Sequence, residues 1–301
     1  MQPTLLVLAA GMGSRYGGLK QIDPVGPSGE TVLDYAVFDA LRAGFGRVVF
    51  VIRRDFEAVF RAQVGAKYAG RIAVDYVFQA LDDLPSGHAA PAGREKPWGT
   101  GHAVWCARTA VREPFAVINA DDFYGPDSFV QLARFLSVPA APAAPASFAM
   151  VGFTLANTLS EHGAVARGQC ETGPDGRLKS ITERTGILAA DVGPGRTYTG
   201  GETVSMNCWG FTPALFAGLD AQLREFLAAR SGDPKAECYL PAVVSAMIAR
   251  REAEVRVLPT ASAWFGVTYR EDKPRVVAAI AALVAQGAYP AKLFSPRRAG
   301  R

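Results

Sequence analysis

Apolar residues recur along this chain with two alternating spacings. Leu5 to Leu8 is a short apolar run without helical period, the pattern of a strand buried on both faces. Val32 to Ala43 then sets Val32, Leu33, Ala36, Val37, Ala40 and Leu41 on one helical face, and Gly44 follows as its C-cap. Val48 to Ile52 is a second buried strand, which completes a βαβ unit. Phe56 to Val64 reads as a helix, Ile72 to Phe78 as a third strand, and Trp105 to Val111 as the end of a helix leading to the strand Phe115 to Asn119. Such alternation predicts a doubly wound, mostly parallel sheet with right-handed crossovers and ligands above the C-terminal strand ends. Asp82 to Trp98, rich in Gly, Pro and charge, and the Ala/Pro run Pro139 to Pro145 interrupt the rhythm without marking a domain boundary.

Composition narrows the function classes. The 301 residues, 49% hydrophobic, suffice for one large α/β domain. The net charge of +4 is small and its cations are scattered apart from Arg297, Arg298 and Arg301, so no nucleic-acid surface is implied. Cys106, Cys170, Cys208 and Cys238 lie far apart without a CxxC pair. That argues against zinc and, with no signal peptide at Met1 to Thr4, for a cytoplasmic protein. No apolar run approaches the ~18 residues of a membrane span.

Chemistry concentrates first in residues 5–21, LLVLAAGMGSRYGGLKQ. Four glycines between Gly11 and Gly18 let a backbone take left-handed turns and lay its amides against phosphate oxygens. Arg15 and Lys20 add a bidentate and a mobile cation, a pair suited to a polyphosphate. A dinucleotide fingerprint fails at Tyr16, and a P-loop fails at Leu19 and Gln21. The stretch resembles the LAAGxGxR…K signature of nucleotidyltransferases that activate sugar 1-phosphates, carried by Leu8, Ala9, Ala10, Gly11, Gly13, Arg15 and Lys20. The short spacing to Lys20 is similar also to cytidylyl- and molybdopterin-transferring relatives.

A second group is Gln79 with Gly99, Thr100, Gly101, His102 and Ala103. A Gln amide and a Gly-rich turn can read a base edge. GTGHA resembles the segment after a base-binding Gln in the sugar-nucleotide pyrophosphorylases, closest to uridylyltransferases acting on N-acetylglucosamine 1-phosphate, which implies base contacts from Gln79, Gly99 and Thr100. Taken alone, GTG is also a helix start with Thr100 near the N-cap and His102 on the surface. Third, the apolar strand Val117 to Asn119 ends in Asp121 and Asp122. Carboxylates there suit a magnesium ion that leaves its other positions to water and phosphate. Asp121 is the expected ligand, falling where the family's Gly-Asp pair places the metal Asp, with Asp122 behind it.

The same resemblance implies sugar-phosphate contacts from Gly163, Glu183, Arg184 and Asn207, on strands read at Phe148 to Leu155, Gly163 to Val165, Ile181 to Arg184 and Val204 to Phe211. Trp264 to Asp272, WFGVTYRED, would close the site. Relatives carry a second metal ligand there, Asp in WxDxGT or Asn in GVN, whereas this chain has Gly266, Val267 and Thr268, leaving Thr268 or Asp272 as candidates. Glu237 to Arg251 and Arg275 to Ala285 read as amphipathic helices.

Together these readings imply a Rossmann-like, nucleotidyltransferase (GT-A-like) single domain over 1–301. Its nucleotide-binding half is about 1–135, its sugar-phosphate half about 146–275, and a C-terminal helix and tail fill 275–301. The implied function is a magnesium-dependent transferase joining an NTP, UTP favoured, to a sugar 1-phosphate. Arg15 and Lys20 would be catalytic, and the Leu8 to Gly13 backbone, Met12 included, would bind nucleotide. The expected state is a monomer or small homo-oligomer. A cytidylyltransferase for another phosphate monoester, a catalytically silent binding protein and a nucleotide-binding redox enzyme are the alternatives.

Overall fold

The structure is a computed structural model that describes residues 2–11, 23–139, 145–260, 262–266 and 270–294. In chain order its elements are β1 (Thr4–Leu8), α1 (Val32–Ala43), β2 (Arg47–Ile52), α2 (Glu57–Gln63), β3 (Ala73–Phe78), α3 (Thr100–Cys106), β4 (Phe115–Asn119), β5 (Asp122–Phe123), α4 (Pro126–Leu136), β6 (Ala146–Thr154), β7 (Val165–Thr172), β8 (Leu178–Ile187), β9 (Thr203–Phe211), α5 (Leu215–Arg230), α6 (Leu240–Ala249), β10 (Ala253–Pro259), β11 (Phe265–Gly266) and α7 (Lys273–Ala285). The expected early strands and α1 are found within a residue or two. The helix expected at Phe56 to Val64 is a 3-10 turn followed by the shorter α2, and 105–111 is the end of α3 plus a 3-10 turn. Helices α4 and α5 and strand β10 were not read from the sequence.

The main sheet runs β10-β6-β9-β4-β1-β2-β3, with β7 and β8 branching from β9. β3, β2, β1 and β4 are mutually parallel, and β9 enters antiparallel between β4 and β6. The chain moves outward from β1 to β2 and β3, then returns to the other side of β1 to form β4. That reversal places a topological switch point between β1 and β4, where open α/β sheets bind ligands at the strand ends. This is a mixed α/β fold with a mostly parallel central sheet, as the alternating pattern predicts.

Alternate residues of β1 feed two cores. Leu5 and Val7 pack with Leu33, Val37 and Ala40 of α1 and Phe129 and Leu132 of α4. Leu6 packs with Val104 and Trp105 of α3, Leu219 of α5 and Val243 of α6. The two-residue period of a strand thus builds the three layers. A capping box starts α1: the Thr31 hydroxyl accepts from the Asp34 N–H, and the Asp34 carboxylate accepts from the Thr31 N–H. Asp34, almost fully buried, also takes hydrogen bonds from Lys67 Nζ at 2.6 Å and the Tyr68 hydroxyl at 2.7 Å.

A third cluster carries the C-terminal helix onto this frame. Val276, Ile280, Tyr289 and Leu293 pack with Val25, Val32 and Tyr35 and with Phe123 and Phe265. The last two rings stack at 4.3 Å, 1° from parallel. Lys273 pairs with Asp23 at 2.6 Å, and the Ser28 hydroxyl donates to the Ala291 carbonyl. At the far end, Asp39 accepts from the Tyr289 hydroxyl and from Arg42, each at 2.6 Å. Burial pushes Asp39 up to about 6 despite these two donors.

The native state therefore holds a proton at Asp39 more tightly than the unfolded chain, whose value is near 3.8. Its stabilisation is present in acid and is lost as pH rises through about 6. Asp39→Asn is expected to remove that contribution, which urea denaturation between about pH 4 and about pH 7 would measure as a loss smaller than wild type's by roughly 3 kcal/mol.

Candidate active site

The ends of β1 and β4 bring two of the sequence candidates to one place. Leu8 is opposite Asn119 in the ladder, the Ala120 N–H donates to the Leu8 carbonyl at 3.1 Å, and the Ala9 N–H donates to Val51 on the other side. Ala9 and Ala10 are buried and Gly11 is exposed, so the glycine segment leaves the sheet beside the double aspartate. Met12, Gly13, Arg15 and Lys20 lie outside the described residues, as does Thr268.

The aspartates sit in a network that the sequence did not announce. Asn119 Nδ2 donates to Asp122 Oδ2 at 2.9 Å. The Tyr124 hydroxyl accepts from the Asn119 N–H and shares its own hydrogen between the Met206 carbonyl and Asp122 Oδ2. Asn207 Nδ2 donates to Asn119 Oδ1 at 2.7 Å, and Trp209 Nε1 donates to Asn207 Oδ1 at 3.0 Å. Burial and the neighbouring Asp121 carboxylate push Asp122 up to about 7, against the pull of Asn119, Arg167 and Tyr124. Two hard oxygen donors this close oppose each other's charge, an arrangement a magnesium ion would neutralise. The donor set therefore fits that ion. Among the described residues no group of three or more His, Cys, Asp and Glu forms a closed metal cage.

The stretch expected to complete the site does approach it. β11 pairs antiparallel with β5, Gly266 opposite Asp122. A Cβ at Gly266 would stand 2.6 Å from Asp122 Oδ1 and 3.0 Å from the Trp264 ring, so glycine is required by contact. Asp272 is buried and accepts from the Ser160 hydroxyl at 2.9 Å, which links the start of α7 to the bend containing Gly163.

On the base side, Gln79 meets Gly99 and His102 across the Asp82 to Trp98 insertion. Gln79 Nε2 donates to the Gly99 carbonyl at 3.0 Å and faces His102 Nδ1 at 3.2 Å. Gly99, at φ 94°, is the N-cap of α3, and a Cβ there would lie 2.7 Å from the Cys238 carbonyl. Two local expectations are corrected here. The cap is Gly99 rather than Thr100, whose hydroxyl instead accepts the Leu240 N–H at 2.9 Å, and His102 is fully buried rather than on the surface.

The sugar-side candidates are split by strand alternation. Glu183 is opposite Gly168 on the β7–β8 hairpin, its Oε2 3.7 Å from where a Cβ at Gly168 would be. Arg184 turns the other way and donates to Gln169 Oε1 at 3.1 Å, so the two do not share one face. Asn207, at φ 58°, spends its amide on Asn119 and Trp209. Sequence reasoning missed Arg167. Its guanidinium is buried, donates to the Thr158 carbonyl and hydroxyl and to the Ala166 carbonyl, and stands 4.9 Å over the Trp264 ring. Burial pulls it down to about 10, opposed by Asp122, Glu183 and Asp272. One cation thus lies within electrostatic reach of three candidate carboxylates. Only its position four residues after Gly163 hinted at this.

With a topological switch point between β1 and β4 and two aspartates at the end of β4, the fold is the Rossmann-like fold of nucleotidyltransferases. It is similar to a UDP-glucose pyrophosphorylase complexed with UDP-glucose, TM-score 0.58 at 18% identity over 94% of this chain and 99% of that one. It is similar also to a Bacillus anthracis protein described as a glucose-1-phosphate thymidylyltransferase, 0.61 at 12% over 92% and 94%. The inositol-1-phosphate CTP transferase from T. maritima gives 0.57 at 12% over 94% and 96%. No protein-family model matches the sequence, and no curated protein matches it. Among the described residues no helix is long and apolar enough to cross a membrane.

Asn207→Ala removes both amide partners of a buried network and leaves alanine in a left-handed conformation. A loss of about 2–4 kcal/mol in urea unfolding is expected, whereas an Asn207 serving sugar alone would cost only the backbone strain, about 1 kcal/mol, without ligand.

Proposed function

We propose that the chain is a nucleotidyltransferase that joins an NTP, with UTP favoured, to a sugar 1-phosphate, giving an NDP-sugar and pyrophosphate. The observation that carries this reading is the placement of Asp121 and Asp122 at the end of β4, beside the glycine segment leaving β1. In this reading Gln79 and Gly99 would serve the base and Glu183 the sugar. The likeness to solved structures whose names specify UDP-glucose, glucose 1-phosphate and inositol 1-phosphate supports the same class.

In this reading a phosphate oxygen of the sugar 1-phosphate forms a bond to the α-phosphorus of the NTP in line, and the bond to the β-phosphate oxygen breaks. A phosphate monoester is already nucleophilic near neutral pH, so positioning and charge neutralisation suffice. Arg15 and the Gly11 to Gly13 amides would hold the departing β- and γ-phosphates, and Lys20 the α-phosphate as charge develops. Asp121, steadied by the Asp122 network, would hold magnesium, with Asp272 or Thr268 as the candidate second ligand; the bound ion supplies charge neutralisation between the two substrates. Gly163 and Glu183 would meet sugar hydroxyls, while Arg184, on the other face of the hairpin, is left without the sugar-phosphate role.

Pyrophosphate release across a panel of NTPs and phosphate monoesters tests the assignment. Lys20→Ala or Arg15→Ala is expected to lower turnover by about 10²-fold or more with an unchanged melting temperature, and full turnover by Lys20→Ala would sink the reading. Chelation with EDTA is expected to abolish release and added magnesium to restore it; release that persists without divalent metal excludes the metal role of Asp121.

A further inference from the structure

The Gln79 side chain is oriented by a relay running through the segment that interrupts the βα rhythm. Asp83, inside that segment, has its carboxylate paired with Arg108 at 3.1 Å, and the Arg108 guanidinium stacks 3.3 Å over Trp105. The Asp83 carbonyl lies 2.6 Å from His102 Nε2. A carbonyl only accepts, so the ring hydrogen is on Nε2, and in a neutral ring Nδ1 is left with a lone pair. Burial lowers the imidazole's affinity for a second proton, and Trp105 stacks on the ring at 22°. Nδ1 in turn faces Gln79 Nε2.

Both Gln79 amide hydrogens are thereby spent, one on the Gly99 carbonyl and one on His102. A half-turn of the amide would set Oε1 against that carbonyl and the Nδ1 lone pair, two acceptor contacts with no hydrogen between them. Among the described residues Oε1 itself receives no hydrogen bond. The amide therefore offers a ligand an acceptor and no donor.

We propose that His102 is a specificity-determining positioning residue: by locking the Gln79 amide it leaves a single acceptor toward the nucleobase and selects a base carrying a ring N–H, as uracil does, over cytosine. The proposal rests on the reading of Gln79 as the base contact. A ring N–H donates to Oε1, whereas cytosine N3 in the same place would meet it acceptor to acceptor and leave both groups unpaired. His102 itself need not touch the nucleotide.

Calorimetric binding of UTP and CTP to the full chain tests this. Wild type is expected to bind UTP at least about tenfold more tightly than CTP. His102→Gln can set its amide nitrogen at the place of Nε2 for the Asp83 carbonyl but leaves the place of Nδ1 without an acceptor, and is expected to bring the ratio within about threefold. His102→Asn, whose Oδ1 takes the place of Nδ1, is expected to restore most of it. Equal affinities in wild type, or a full ratio in His102→Gln, would overturn the proposal. Should His102→Gln fail to fold, nitrogen-15 spectra of wild type decide: hydrogen on Nε2 with a slowly rotating Gln79 amide supports the lock, and hydrogen on Nδ1 refutes it. Failure of the transferase reading looks different, since the predicted binding ratio without pyrophosphate release would remove the reaction and keep the lock.

Discussion

The pairing of β1 with β4 is the constraint on which the rest of the molecule depends. In a parallel ladder the two C-terminal ends emerge together, and the reversal of winding at this pair makes it the switch point of the sheet. Leu8 opposite Asn119 sets the chain at Ala9 and Ala10 beside the strand that ends in the two aspartates. A one-residue slip would turn every β4 side chain to the other layer, and the split of Leu5 and Val7 from Leu6 between two cores opposes that slip. Packing far from the crevice thus sets the geometry inside it.

Behind the strand ends, buried polar groups do what apolar packing cannot, which is to fix direction. The chain of contacts from Trp209 through Asn207 and Asn119 to Asp122 and Tyr124 crosses from β9 to β4 and β5. Each member is partnered, as a low-dielectric interior demands. Arg167 joins this region by its field, with Asp122, Glu183 and Asp272 all acting on it.

Segments that look peripheral in sequence brace the same place. The 82–98 insertion is pinned through Arg94, which stacks 3.4 Å over Trp98 and donates to the carbonyls of Asp233 and Ala236, and it carries Asp83 to His102. Helix α7 and its N-cap bridge from Asp23 to Ser160 and Leu159, through Lys273, Asp272 and Arg275. The two halves of the crevice therefore share one strut.

Much of this was legible from the chain because it is local. Periodicity gave β1, α1, β2, β3 and β4 and hence the parallel sheet, while glycine spacing and the strand-terminal aspartates gave the candidate chemistry. Residues 126–136 and 215–230 went unread as helices although both form, their apolar faces being meaningful only against the sheet they cover. The burial of His102 and the presence of Arg167 were invisible for a different reason. A polar side chain inside a short apolar stretch looks the same whether it faces water or a buried carbonyl, and its partners here are 19 and 9 residues away, at Asp83 and Thr158. The sequence by itself determined which residues could bind phosphate, metal and base, since that is a property of functional groups and near-neighbour spacing. Only the tertiary structure decided which of them meet and which way they point: strand alternation parts Glu183 from Arg184, and the Asp83 carbonyl leaves His102 a single tautomer with which to hold Gln79.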